Sequence, residues 1–136
     1  MGVIIEGVYL GNKKLRLKHG PSGVELLTDV PRDAGGEATS FSPTDMAAAA
    51  LGACAMSVMA IAAEREGTDL SGMRMRVEKE MTSAPRRIGS LAVVVHMPAR
   101  LSADERQRLE RVAEACPVLR SLHPDTKVDL QFVYDV

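Results

Sequence analysis

From Met46 to Ala63 the chain carries no charged side chain and a single hydroxyl, that of Ser57. A helix apolar all round has to be buried, in lipid or in protein, so this segment dictates what must surround it. Its length reaches the lower limit for a membrane span. However, most of it is Ala and Gly, whose small side chains contribute little transfer free energy, and no aromatic or basic belt flanks both ends. The segment is therefore expected in a protein core and not in a membrane. Its small side chains would let neighbouring backbones come close. Ser42 suits the N-cap, Pro43 the first helical position, and Asp45 can return a capping bond. Gly67 is a stop signal, which predicts a helix from Pro43 to about Glu66.

Ahead of this helix, Val3 to Leu10, Lys14 to Lys18 and Val24 to Thr28 are short β-compatible runs divided by Gly11-Asn12 and Gly20-Pro21-Ser22-Gly23. Leu15 and Leu17 alternate with Lys14, Arg16 and Lys18, which predicts one buried and one basic face in an antiparallel meander. Pro31 to Ser40, with Gly35-Gly36, is expected to be a loop. Beyond the helix, Met73 to Met81 alternates apolar and charged residues as a half-exposed strand does. Pro85-Arg86-Arg87 turns the chain into a second strand, Leu91 to Met97, which Pro98 ends.

Ser102 to Ala115 is a further helix, capped by Ser102 with Glu105 and carrying the apolar stripe Leu109, Val112, Ala113, Cys116. Pro117 breaks that helix and can begin a short one through Leu122. Val128 to Val136 closes the chain as a strand. The order β-β-β-α-β-β-α-β indicates an α+β fold with antiparallel sheet, and 136 residues suit a single domain over 1–136.

Charge and composition exclude some partners. A net charge of −1 gives no field to attract nucleic acid, and 3% aromatic residues without Trp give no base-stacking surface. Met1-Gly2-Val3-Ile4-Ile5-Glu6 lacks a basic region ahead of an apolar segment, so a cytoplasmic location is expected. Thiols stay reduced there, and two cysteines in such a chain more often serve chemistry or metal than structure.

Taken singly, each cysteine has two readings. Cys54 has Ala47, Ala50, Leu51, Val58 and Ile61 around it on the helix wheel, so it is either a small buried hydrophobe or a nucleophile in an apolar setting. It lies too deep in its helix for the N-terminal dipole to lower its pKa, so an activating cation would have to come from elsewhere. Cys116 either closes a buried stripe or caps the next short helix, where backbone N–H groups favour a thiolate. The cysteines with His19, His96 and His123 show no CxxC or HxxxH spacing, so no metal or other cofactor is expected.

The run Phe41-Ser-Pro-Thr-Asp-Met-Ala-Ala-Ala-Ala-Leu-Gly-Ala-Cys54 resembles the signature of the OsmC/Ohr family of small peroxide-handling proteins. Glu114-Ala-Cys116-Pro117-Val118 and the loop Asp29-Val-Pro-Arg-Asp-Ala-Gly-Gly36 resemble the same family, so the likeness spans essentially the whole chain. The resemblance implies an OsmC-like fold, with antiparallel sheets around a long central helix, in an intertwined homodimer whose two sites draw on both subunits. It also implies a thiol-dependent peroxidase that reduces organic hydroperoxides, with Cys54 peroxidatic, Cys116 resolving, and a thiol reductant as the further partner. Family peroxidases carry a Glu directly after the helix-starting Pro, paired with an activating Arg. Thr44 stands at that position here, with Asp45 next, and Arg16 is the candidate cation. The alternative that this departure motivates is a non-catalytic OsmC-like protein holding an apolar or thiol-reactive metabolite at the dimer interface.

Overall fold

Alternating side chains build the N-terminal part of the chain. The computed structural model describes residues 2–136, which form two units divided between Ala47 and Ala48. In the first unit, β1 (Ile5–Gly11), β2 (Lys14–His19) and β3 (Glu25–Thr28) form an antiparallel sheet in that order. Asn12 and Lys13 join β1 to β2 with φ of 52° and 65°, the positive values a two-residue hairpin turn requires. The register sets Ile5 opposite His19, Tyr9 opposite Leu15, and Leu17 opposite Leu26. Those apolar residues therefore share one face, while Glu6, Arg16, Lys18 and Glu25 share the other. The apolar face holds a hollow of about 410 Å³ lined by Ile5, Leu17, Val24, Leu26 and Met46.

The segment after β3, expected as plain loop, is organised around a buried carboxylate. Asp29 is 1% exposed. It accepts the Val30 N–H at 2.7 Å, the Thr39 N–H at 2.9 Å and the Thr39 hydroxyl at 2.6 Å. Lys14 Nζ lies 3.5 Å from Asp29 and 2.8 Å from Glu37, tying β2 to both ends of the loop. The Thr39 hydroxyl, then the Thr39 and Val30 N–H groups, hold the Asp29 carboxyl well below the usual carboxylate range, and Lys14 adds to that direction. A 3₁₀ turn at Arg32–Ala34 ends at Gly35, whose φ is 86°.

The helix α1 spans Pro43–Glu66, as its signals predict. The Ser42 hydroxyl accepts the Asp45 N–H at 3.1 Å, and the Asp45 carboxylate accepts the Ser42 N–H at 2.9 Å, completing a capping box. In the second unit β4 (Arg74–Ser83), β5 (Arg86–Met97) and β6 (Lys127–Tyr134) form a sheet in the order β4-β5-β6. The strands β4 and β5 make a longer hairpin than expected, because Arg86 and Arg87 pair with Ser83 and Thr82 instead of lying in the turn.

The pairing of β5 with β6 is parallel, which makes this sheet mixed where a wholly antiparallel one was expected. Between them the chain crosses over through α2 (Ala103–Glu114) and α3 (Pro117–Ser121), a connection long enough to bring it back to the end where β5 began. Ser102 and Glu105 cap α2 reciprocally.

One row of β5, Leu91, Val93, Val95 and Met97, is fully buried against Leu51, Ala55 and Met59 of α1, Leu109 and Ala113 of α2, and Cys116. Burial of each large member of that set stabilises the unit by about 1.5–3 kcal/mol relative to exposure. The single chain does not enclose α1 as its all-round apolarity predicted. Ala48, Leu51, Gly52, Ala55, Met59 and Ala63 are buried, whereas Ala50, Ala53, Ser57, Ala60 and Ile61 are exposed. A Cβ on Gly52 would run into Met75 Sδ and come within 2.9 Å of Val77 Cγ2, so α1 lies directly against the inward row of β4.

Two stability tests follow from these contacts. Helix propensity alone makes Gly52→Ala stabilising by about 1 kcal/mol. Overpacking against Met75 and Val77 costs about 1–3 kcal/mol, so the expected outcome in urea unfolding is a net loss. For Asp29, the folded pKa lies below the ordinary value of 3.8, so its stabilisation is complete above that value and fades as pH falls below it. Asp29→Asn is therefore expected to lower the urea midpoint near neutral pH and to lower it less in acid. A deficit independent of pH would assign the loss to shape instead of charge.

Candidate active site

The two cysteines come to one apolar cluster from different elements of the second unit. Cys54 sits midway along α1, half-buried and packed at the edge of the apolar cluster. Cys116 is completely buried at the corner between α2 and α3. There it is the N-cap of α3, with Pro117 at the first helical position, and its Sγ accepts the Leu119 N–H at 3.3 Å. Both sequence readings of Cys116 therefore hold together: it closes the stripe of Leu109 and Ala113 and caps the helix that follows.

Both cysteines are free thiols, and Cys54 packs against the buried cluster that includes Cys116. Burial pushes the Cys116 thiol up, and the neighbouring Cys54 thiol pushes the same way, while the Leu119 and Val118 N–H groups oppose them. The pair is thus unequal. One sulfur is sealed in the core and biased toward the protonated form, and the other lies at the edge of that core.

The remaining candidates lie in the first unit. Arg16 is on the charged face of β2 with its Nε 3.9 Å from Glu25, and its side chain is 45% exposed. Asp45 is engaged by the capping box, and the Thr44 hydroxyl lies 3.2 Å from that of Ser42. The histidines have local partners: His19 bonds Ser22 at 2.6 Å, His96 bonds Asp135 at 2.9 Å, and His123 accepts the Asp125 N–H at 3.0 Å. Among the described residues no cluster of His, Cys, Asp or Glu has a metal-binding arrangement.

Sequence reasoning missed the burial of Asp29 and the inward position of Lys79. The alternation Met75, Val77, Lys79, Met81 places Lys79 on the half-buried row of β4. That alternation was available as a signal. For Asp29 the only local cue was a carboxylate followed by apolar Val30, and its partner Thr39 is ten positions away.

Comparison with known proteins bears on this geometry. Among curated proteins none matches the chain. A Psychrobacter arcticus protein named for an osmotic stress and detoxification response shares the fold at 28% identity and a TM-score of 0.91, over 97% of each chain. The organic hydroperoxide resistance protein OsmC of Legionella pneumophila is similar at 22% identity and a TM-score of 0.77, over 98% of this chain and 97% of that one. The organic hydroperoxide resistance protein OhrB of Bacillus subtilis is similar at 18% identity and a TM-score of 0.67, over 97% and 98% of the two chains. The sequence pattern of the OsmC-like proteins matches residues 35–131, a stretch that includes both cysteines, and the chain belongs to that family.

Proposed function

We propose that the chain is a thiol-dependent peroxidase for organic hydroperoxides, with Cys54 as the peroxidatic and Cys116 as the resolving thiol. The packing of Cys54 against the cluster that holds Cys116 carries this reading, because a resolving thiol must reach the first sulfur once it is oxidised. The assignment of roles follows from their surroundings. Cys54 is the thiol with exposed surface, whereas burial and its neighbour disfavour the thiolate of Cys116.

In the proposed reaction the Cys54 thiolate attacks the terminal oxygen of R–O–O–H. The O–O bond breaks, Cys54 becomes a sulfenic acid, and RO⁻ leaves to be protonated to the alcohol. The Cys116 thiol then condenses with the sulfenic acid, forming the disulfide and releasing water. A thiol reductant restores both cysteines by exchange, which fits a reducing compartment such as the cytoplasm. Apolar residues around Cys54 favour an alkyl or lipid-like hydroperoxide over hydrogen peroxide. Two of the similar proteins carry organic hydroperoxide resistance in their names, which agrees with that substrate class.

A homodimer is part of the reading. Ile5, Tyr9, Val24 and Leu26 are each more than half exposed, at 65%, 65%, 59% and 55%, on the apolar side of the first sheet. The second stripe of α1 adds Ile61 at 51%. A monomer that left this much apolar surface wet would associate, and a second copy of the chain presents matching surfaces. The observation favouring the non-catalytic binding alternative is that Thr44 is neutral and the neighbouring Asp45 carboxylate serves the helix cap.

Cumene hydroperoxide added to reduced protein is expected to remove both thiols and yield a mapped Cys54–Cys116 disulfide. Cys54→Ser should abolish turnover, and Cys116→Ser should leave a sulfenic acid on Cys54 that dimedone traps. Thiols that survive excess hydroperoxide, together with a tightly retained small molecule, would establish the binding alternative instead. For the proposed activating cation, Arg16→Ala is expected to slow Cys54 oxidation about tenfold, the loss that roughly 1.4 kcal/mol of thiolate stabilisation represents. An unchanged oxidation rate in Arg16→Ala would exclude Arg16. In sedimentation, Ile61→Lys is expected to shift the proposed dimer toward monomer.

A further inference from the structure

Two methionines of the second unit, Met59 and Met97, are sealed in the core at 0% exposure. Met75 is placed differently. It lies on β4, at one end of the order β4-β5-β6, in the half-buried row that faces α1 and opposite Val95 of β5. A Cβ added at Gly52 would run into Met75 Sδ and lie 3.0 Å from Met75 Cε, so the thioether itself is the surface on which the helix rests. Val77 Cγ2 completes that seat. The contact is therefore built from a thioether, an aliphatic side chain and helix backbone whose N–H groups bond along α1. Cys54 follows Gly52 by two positions in the same helix.

We propose that Met75 is a site of reversible sulfoxidation by hydroperoxides, and that its sulfoxide unseats α1, with Cys54, from β4. A lone pair on Met75 Sδ attacks the terminal oxygen of R–O–O–H. The sulfur–oxygen bond forms as the O–O bond breaks, and RO⁻ leaves and takes up the hydroxyl proton as the alcohol. The sulfur is oxidised by two electrons and the peroxide is reduced by two. The product is a larger, polar group in a contact that has no room for one more atom beside Gly52. Its oxygen needs a donor, which neither the Val77 side chain nor the bonded helix backbone supplies. Oxidation thus weakens the helix–sheet contact twice, by overpacking and by leaving a polar atom unpaired. Methionine sulfoxide reduction driven by thiols releases the oxygen as water and restores the seat. The inference goes beyond the peroxidase reading, since it requires hydroperoxide to reach the chain but no turnover at Cys54.

The test treats the wild-type chain and Met75→Leu, a volume-conserving swap, side by side with excess t-butyl hydroperoxide and then dithiothreitol. Peptide mass and urea unfolding are read on both. Cysteine oxidation is common to the two samples, so their difference isolates Met75. The wild type is expected to gain an oxygen on Met75 ahead of Met59 and Met97, and its folding equilibrium constant to fall about tenfold or more, as an unpaired polar atom in a packed contact requires. Met75→Leu is expected to keep the constant of its untreated sample. Methionine sulfoxide reductases acting on both epimers should return the wild type to its untreated midpoint as the Met75 oxygen is lost, a readout that needs no variant. No oxygen on Met75, an oxygen there with an unmoved midpoint, an equal fall in Met75→Leu, or a midpoint that stays low after that oxygen is removed would each overturn the inference. Cysteines inert to the hydroperoxide alongside a protected Met75→Leu would overturn the peroxidase reading alone.

Discussion

Close approach of α1 to the sheet beneath it is the contact on which the second unit depends. Gly52 leaves no room for a side chain between the helix and Met75 or Val77. Ala48, Ala55 and Ala63 continue that thin face along the helix, with Leu51 and Met59 filling the wider gaps. Dispersion falls off steeply with distance, so a helix faced with small residues makes more contacts with the sheet than a bulkier one held further out. The same approach fixes the height of Cys54 above the core. The thiol sits at the rim of the packed cluster that includes Cys116, far enough out to retain surface.

The chemistry of the pair comes from packing more than from charge. No cation is needed to make the two sulfurs unequal, because burial acts on Cys116 before any other influence. The backbone then offsets part of that penalty. Pro117 at the start of α3 has no N–H, so the first donors the cap offers come from the residues that follow it, and Leu119 directs its N–H at the sulfur. The resolving role proposed for Cys116 would benefit from this combination. Burial would keep the thiol protonated and shielded while the other sulfur reacted, and the cap would lower the cost of the transient thiolate when its turn came.

Local signals in the sequence were sufficient for the elements and for part of the site. Ser42, Pro43 and Gly67 bounded α1, Ser102 and Glu105 began α2, and Cys116-Pro117 announced the cap of α3, since each works through residues three or four apart. What depends on distant partners was not legible. The parallel pairing of β6 with β5 follows from how the crossover returns, which neither strand encodes in its alternation. The role of Asp29 required knowing that Thr39 and Lys14 would meet it. The pairing proposed for Cys54 and Cys116 joins residues from separate elements, and only the family resemblance suggested it beforehand.

The correction to α1 bears most on the assembly. A helix without charge from Met46 to Ala63 was expected to be covered on every side, and the single chain covers one side only. The uncovered stripe is not like an ordinary solvent face, which would carry Lys or Glu at such positions. Ala50, Ala53, Ala60 and Ile61 have no polar group to offer water, and retaining them at an exposed surface brings the monomer no evident stability. Their composition makes physical sense if the stripe meets another surface. Small residues there would allow the same close approach that Gly52 permits on the buried side. The segment that most constrains the fold of one chain thus also carries the strongest physical argument for the proposed homodimer.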